Sequence, residues 1–261
     1  MALPAIAFAG EEGDIGLRLN SAGQIETTLT AEGSGDFTGP TERVFVSELE
    51  TEGLGEFDPV FSPLPPGVSV PTGNTPGFDS PDNTFAIGSE VGLDIFTPSV
   101  LSDNFVGYDP IADAFTTVPD GTGVQFFFSS PSALARTTEP VASTDLLLPV
   151  FDGSSPSDET GPGRWHRHYV ISIFGGIDDT SGDLLAPAGG VYVLEFDVIT
   201  TDPSVLDSEP TFVVFGVGEE GIDFEDADLD AAVALVEATI PEPASLGLLG
   251  LAGLGLMRRR K

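Results

Sequence analysis

Short runs of Val, Ile, Phe and Tyr, each broken within a few positions by Gly, Pro, Asp or Ser, dominate this chain and leave few folds open to it. Such runs are too short for ordinary helices, and β-branched and aromatic residues suit a pleated, half-buried surface. Residues 14–19 alternate in character, and 24–29 follow after a turn signal at Ser21-Ala22-Gly23. Further strands are expected at 42–49, 91–96, 124–128, 165–174, 191–199 and 211–217. The pattern predicts a mainly β body, an antiparallel sandwich or jelly roll. No repeat at a solenoid or propeller period is present. Two connections read as long and loose: 53–83, dense in proline, and 150–163, dense in Ser and Asp.

One segment departs from this rhythm. Residues 223–238 place Asp223, Glu225, Asp226 and Asp228 ahead of an Ala-, Val- and Leu-rich run. Acidic residues favour a helix N-terminus and alanine is the best helix former, so a single helix is expected there. It would pack through Leu229, Val233 and Val236.

Charge and cysteine narrow the function. The chain carries 42 acidic and 9 basic residues, a net charge of −33, and four of the cations lie at 258–261. A surface this negative repels nucleic acid and anionic lipid and keeps the protein soluble. With no cysteine, disulfide bracing, zinc thiolate sites and cysteine nucleophiles are excluded. Stability must come from a packed core, which a body of roughly 230 residues can supply.

The C-terminus reads Pro241-Glu242-Pro243, then an uncharged run over 244–257, then Arg258-Arg259-Arg260-Lys261. The prolines set the run off from what precedes it. As a short transmembrane helix the run spans about 21 Å, against a hydrocarbon core of roughly 30 Å. The basic cluster acts as the anchor stop. This order resembles the PEP-CTERM sorting signal recognised by exosortases. The resemblance implies an exosortase as partner, with Pro241, Glu242 and Pro243 as the sorting motif and cleavage nearby. At the other end, Ala7-Phe8-Ala9 has the small-x-small pattern of a signal-peptidase site. Residues 1–9 are therefore expected to be the remnant of a truncated signal peptide, 10–238 an acidic β-rich extracellular domain and 239–261 the sorting signal.

The densest cluster of unusual side chains is Arg164-Trp165-His166-Arg167-His168-Tyr169, which holds both histidines and the sole tryptophan. In a strand, His166 and His168 share one face, and Trp165, Arg167 and Tyr169 share the other. Two imidazoles at that spacing can hold one metal ion if carboxylates approach from a neighbouring strand. Otherwise the histidines are ordinary residues of a solvated face. The body is also similar to a family of PEP-CTERM proteins repressed by a zinc-responsive regulator, through Asp14-Ile15, Arg43-Val44-Phe45, Pro76-Gly77-Phe78-Asp79 and the His-x-His segment. That similarity favours zinc. The acidic groups Asp178, Asp179 and Asp183, and 223–230, offer hard oxygen ligands for calcium, but neither fits the EF-hand or nonapeptide calcium pattern.

No Gly-x-Ser-x-Gly elbow, Walker lysine motif or His-Glu-x-x-His helix is present, so no enzyme is expected. The sequence thus predicts a protein exported to the envelope, surface or extracellular matrix of a Gram-negative-type bacterium. Its ectodomain would be structural or binding, with exopolysaccharide or other surface components as partners. A surface metal-binding protein using His166 and His168 is the first alternative, and a carbohydrate-binding or carbohydrate-active module the second.

Overall fold

The computed structural model describes residues 13–31, 35–49, 72–73, 76–95, 100–101, 103–128, 130–137, 145–154, 161–178, 180, 184–218 and 226–240. Strands dominate the described residues, so the body is mainly β. In chain order they are β1 (Gly13–Leu19), β2 (Ile25–Ala31), β3 (Val44–Leu49), β4 (Thr72–Gly73), β5 (Phe78–Asp79), β6 (Glu90–Asp94), β7 (Phe105–Asp109) and β8 (Ala114–Thr117). There follow β9 (Gly123–Phe128), β10 (Ser130–Arg136), β11 (Asp145–Pro149), β12 (Val170–Phe174), β13 (Gly176–Ile177), β14 (Leu184–Leu185), β15 (Gly190–Thr200) and β16 (Thr211–Val217). A single helix, α1 (Asp226–Thr239), closes the described chain.

The largest sheet runs β11-β6-β15-β16-β3, with β7 also on β15 and β8 on β7. A second runs β10-β9-β12-β4, a third β2-β1-β5, and β13 pairs with β14. Most pairings are antiparallel, as expected, but β5 runs parallel to β1 and β3 parallel to β16.

Period-two alternation explains where the core lies. Along β15, Tyr192, Leu194, Phe196 and Val198 face a main core, as do Val213, Phe215 and Val217 of β16. That core also takes Ile15 of β1, Ile25 of β2, Leu93 of β6, Phe126 of β9 and Ile171 of β12, so all three larger sheets enclose it. The intervening residues Val191, Val193, Phe212 and Val214 are buried on the opposite face, beneath Leu229, Ala232, Val233 and Val236 of α1. Strands buried on both faces read as continuous apolar runs, as β16 does. Each such side chain stabilises the fold by about 1.5–3 kcal/mol. Glu195 is fully buried within β15, and its carboxylate accepts the backbone N–H of Val100 at 2.8 Å and of Leu101 at 3.1 Å. That satisfies a charge the interior would otherwise penalise.

Two expectations need correction. Residues 165–174 are not one strand: only Val170–Phe174 pairs continuously, as β12. Arg167 makes an isolated bridge to Phe78, because β5 is two residues long and offers one partner before the chain crosses to the sheet of β9. The connection 53–83 is also not wholly loose, since β4 and β5 form within it. The predicted helix stands as α1, with Leu229, Val233 and Val236 buried. No helix among the described residues is long and apolar enough to cross a membrane. The expected signal remnant and C-terminal membrane helix lie outside the described residues.

Candidate metal centre

Three stretches of chain meet beside the main core. Ile15 of β1 donates its N–H to Gly77 O at 2.8 Å, and Ile15 pairs with Phe78. Phe78 and Arg167 then exchange both backbone hydrogen bonds, each 2.8 Å. Side chains alternate across this small sheet. Ile15, Phe78, Trp165 and Tyr169 point inward, each at most 1% exposed. Phe78 packs on Trp165 with ring centroids 5.8 Å apart and on Tyr169 at 5.7 Å. The Trp165 indole N–H donates to Leu148 O at 3.2 Å, and its backbone N–H to Ser80 Oγ at 2.9 Å. This aromatic block makes the inward face a rigid floor.

The opposite face gathers the polar residues. His166 Nε2 and His168 Nε2 lie 3.1 Å apart, and Asp14 Oδ1 is 3.8 Å from His168 Nε2. One ligand atom from each of Asp14, His166 and His168 falls within 4.8 Å of the others. Asp14 is buried at 2% exposure, and the two imidazoles are part-buried. Gly77 makes this approach feasible, since a Cβ there would sit 2.5 Å from Asp14 Oδ1 and from the His168 ring.

Behind His166 stands a second carboxylate. Asp79 Oδ1 is 3.3 Å from His166 Nδ1, close enough for charge attraction but not aligned for a hydrogen bond. Arg164 grips Asp79 with two donors, Nε to Oδ1 at 2.8 Å and Nη2 to Oδ2 at 2.6 Å. Ser80 N–H donates to Asp79 Oδ1 at 2.8 Å. Burial alone would raise the Asp79 carboxyl, but His166 and Arg164 outweigh it and hold the group below its usual range. Arg167 fastens the segment from the rim: its guanidinium lies 4.1 Å over the Phe151 ring and donates to Pro149 O at 2.6 Å.

The expected division of faces is thus present for His166 and His168 against Trp165 and Tyr169, although the segment is not a regular strand. Asp14 and Asp79 entered the sequence reading only through the segments that carry the family similarity, not as ligands. They come from β1 and β5, distant from each other and from the histidines in the chain, and nothing in the sequence paired them with the histidines. Of the acidic groups weighed for calcium, Asp226, Asp228 and Asp230 lie on α1, as the expected helix implied. Asp178 accepts the Thr180 N–H at 2.8 Å in a local turn, while Asp179, Asp183 and 223–225 lie outside the described residues. The sorting residues Pro241, Glu242 and Pro243 and the cations Arg258, Arg259, Arg260 and Lys261 also lie outside them.

Neither a curated protein nor a solved structure matches this chain. Residues 239–261 match the family model described as the PEP-CTERM protein-sorting motif. The motif implies an exosortase as processing partner and export to the cell envelope or surface.

Proposed function

We propose that this is an exported surface or extracellular-matrix protein that an exosortase reads and processes at its C-terminus. The observation that carries this is the sorting motif at 239–261, which begins where α1 ends. In this reading Pro241-Glu242-Pro243 is the recognition element and the apolar run 244–257 holds the chain in the membrane as a short helix. Arg258, Arg259, Arg260 and Lys261 keep its end on the cytoplasmic side. Residues 10–238 form the ectodomain that remains after processing.

The ectodomain is a structural or binding component rather than an enzyme. A sandwich architecture is supported by core residues drawn from three sheets around one interior. The net charge of −33 suits an exterior component that must stay soluble and avoid anionic surfaces. Exopolysaccharide or another surface component is its partner in this reading.

The test is a triple replacement of Pro241, Glu242 and Pro243 by alanine in the native host. Export should continue while C-terminal processing stops, because recognition is lost and the anchor stays. Intact mass of the surface protein gives the readout. A mature mass equal to that of the unaltered protein, after allowing for any retained substitutions, would sink the proposal.

A further inference from the structure

We infer that Asp14, His166 and His168 form a site for one borderline divalent transition-metal ion of the Zn²⁺ type, with Asp79 as the positioning residue behind His166. This goes beyond sorting and does not depend on it.

Ligand spacing is the first argument. Zn²⁺ binds His nitrogen at about 2.0–2.1 Å and carboxylate oxygen at about 2.0–2.2 Å in a tetrahedron, which places neighbouring ligand atoms roughly 3.3 Å apart. The His166 and His168 Nε2 atoms are 3.1 Å apart, already at that separation. Asp14 Oδ1, at 3.8 Å from His168 Nε2, is too far for a hydrogen bond, and it would close in on both imidazoles to complete the third corner. A shared proton would explain the imidazole pair alone. It would not explain why a carboxylate from another strand comes within 4.8 Å of both.

Donor chemistry is the second. Two imidazole nitrogens and one carboxylate oxygen suit Zn²⁺ or its neighbours, whereas Ca²⁺ and Mg²⁺ require oxygen throughout. A divalent ion here would also face the buried Asp14 carboxylate with positive charge. Three protein ligands leave a fourth position for water.

The third is the support around the ligands. An imidazole that gives Nε2 to a metal keeps its proton on Nδ1, and metal-bound histidines usually present that proton to a carboxylate. The group facing His166 Nδ1 is Asp79, itself fixed by Arg164 and Ser80 N–H. Gly77 leaves the room in which Asp14 and His168 meet. At 3.3 Å the Asp79 carboxylate faces Nδ1 without an aligned hydrogen bond, and a small turn of the ring on metal binding would make one.

The experiment titrates Zn²⁺ into the full-length protein after chelator treatment and dialysis, by calorimetry, with circular dichroism to check each fold. The unaltered protein should bind one Zn²⁺. His166→Gln and His168→Gln should each weaken binding by at least tenfold, and Asp14→Asn should do the same. Asp79→Asn should keep one site per chain but weaken it about tenfold, the usual effect of losing an outer carboxylate. Because a replacement at buried Asp14 or Asp79 could unfold the protein, Co²⁺ absorption of the unaltered chain gives a second readout: the site should produce the intense visible bands of tetrahedral cobalt. Failure of the unaltered protein to bind Zn²⁺ stoichiometrically would overturn the site. So would a folded double His→Gln variant that binds as before, or a purely octahedral cobalt spectrum. Unchanged affinity in folded Asp79→Asn would overturn the positioning role alone.

Discussion

Gly77 decides how closely Asp14 and His168 can approach. Its backbone is not in the left-handed region, so alanine would be tolerated by the chain itself. The cost arises in space, because the added Cβ would sit 2.5 Å from a carboxylate oxygen and from an imidazole ring. Those groups would have to part, and overpacking of this kind costs about 1–3 kcal/mol. Gly77→Ala should therefore lower the unfolding free energy by about that amount and weaken Zn²⁺ binding together with it. Denaturant titration and calorimetry on one preparation would check both. A variant with the affinity and stability of the parent would show that Asp14 and His168 meet elsewhere in solution.

At the scale of paired strands, β15 and β6 bring two carboxylates face to face, Asp197 directly opposite Asp94. Asp197 Oδ1 is buried without a hydrogen-bond partner, and burial, then Asp94, Glu195 and Asp207, push its carboxyl up to about 7. A carboxyl raised above its unfolded value binds its proton more tightly in the folded state. Its ionisation therefore destabilises the fold as pH rises through about 7, and that penalty fades as pH falls toward 4. Discounted for partial exposure, the effect is about 1 kcal/mol. Asp197→Asn should be more stable than the parent at pH 8 and gain little at pH 5, and thermal unfolding at both values would decide it. An equal difference at both would show that Asp197 titrates normally. The strands themselves were largely legible, because β1, β2, β3, β6, β9, β15 and β16 alternate or run apolar in ways set by their burial. β4, β5, β7, β8, β10, β11, β13 and β14 were missed: β8, with both faces part-exposed, carries no such period, and the two-residue strands are too short to show one, whereas the alternation of Leu146 and Leu148 in β11 was there to be read. The histidine pair could be read from spacing alone. Its carboxylates could not, since Asp79 lies 85 positions from Arg164 and only the parallel β1–β5 contact brings Asp14 alongside.

For the molecule as a whole, a charge of −33 means that most of its surface repels itself. Salt shortens that repulsion, since the Debye length falls from about 30 Å at 0.01 M to about 3 Å at 1 M. The melting temperature should rise by several degrees between those two NaCl concentrations. A fall would mean that attractive ion pairs such as Arg164 with Asp79, rather than general repulsion, dominate the balance. The same molecule has a definite path for mechanical load. Thr239 and Ile240 belong to the sorting motif, yet Thr239 Oγ1 donates to Leu235 O at 2.8 Å and Ile240 N–H to Val236 O at 3.1 Å, both at the end of α1. Tension on residues beyond 240 therefore reaches the body through this helix. The described contacts holding α1 to the sheet are apolar side chains, with no strand ladder to shear. A pull at that end peels Val236, Val233 and Leu229 away in turn, each yielding before the next is stressed. The β layers behind stay hydrogen-bonded to one another, and the helix becomes the domain's mechanical fuse.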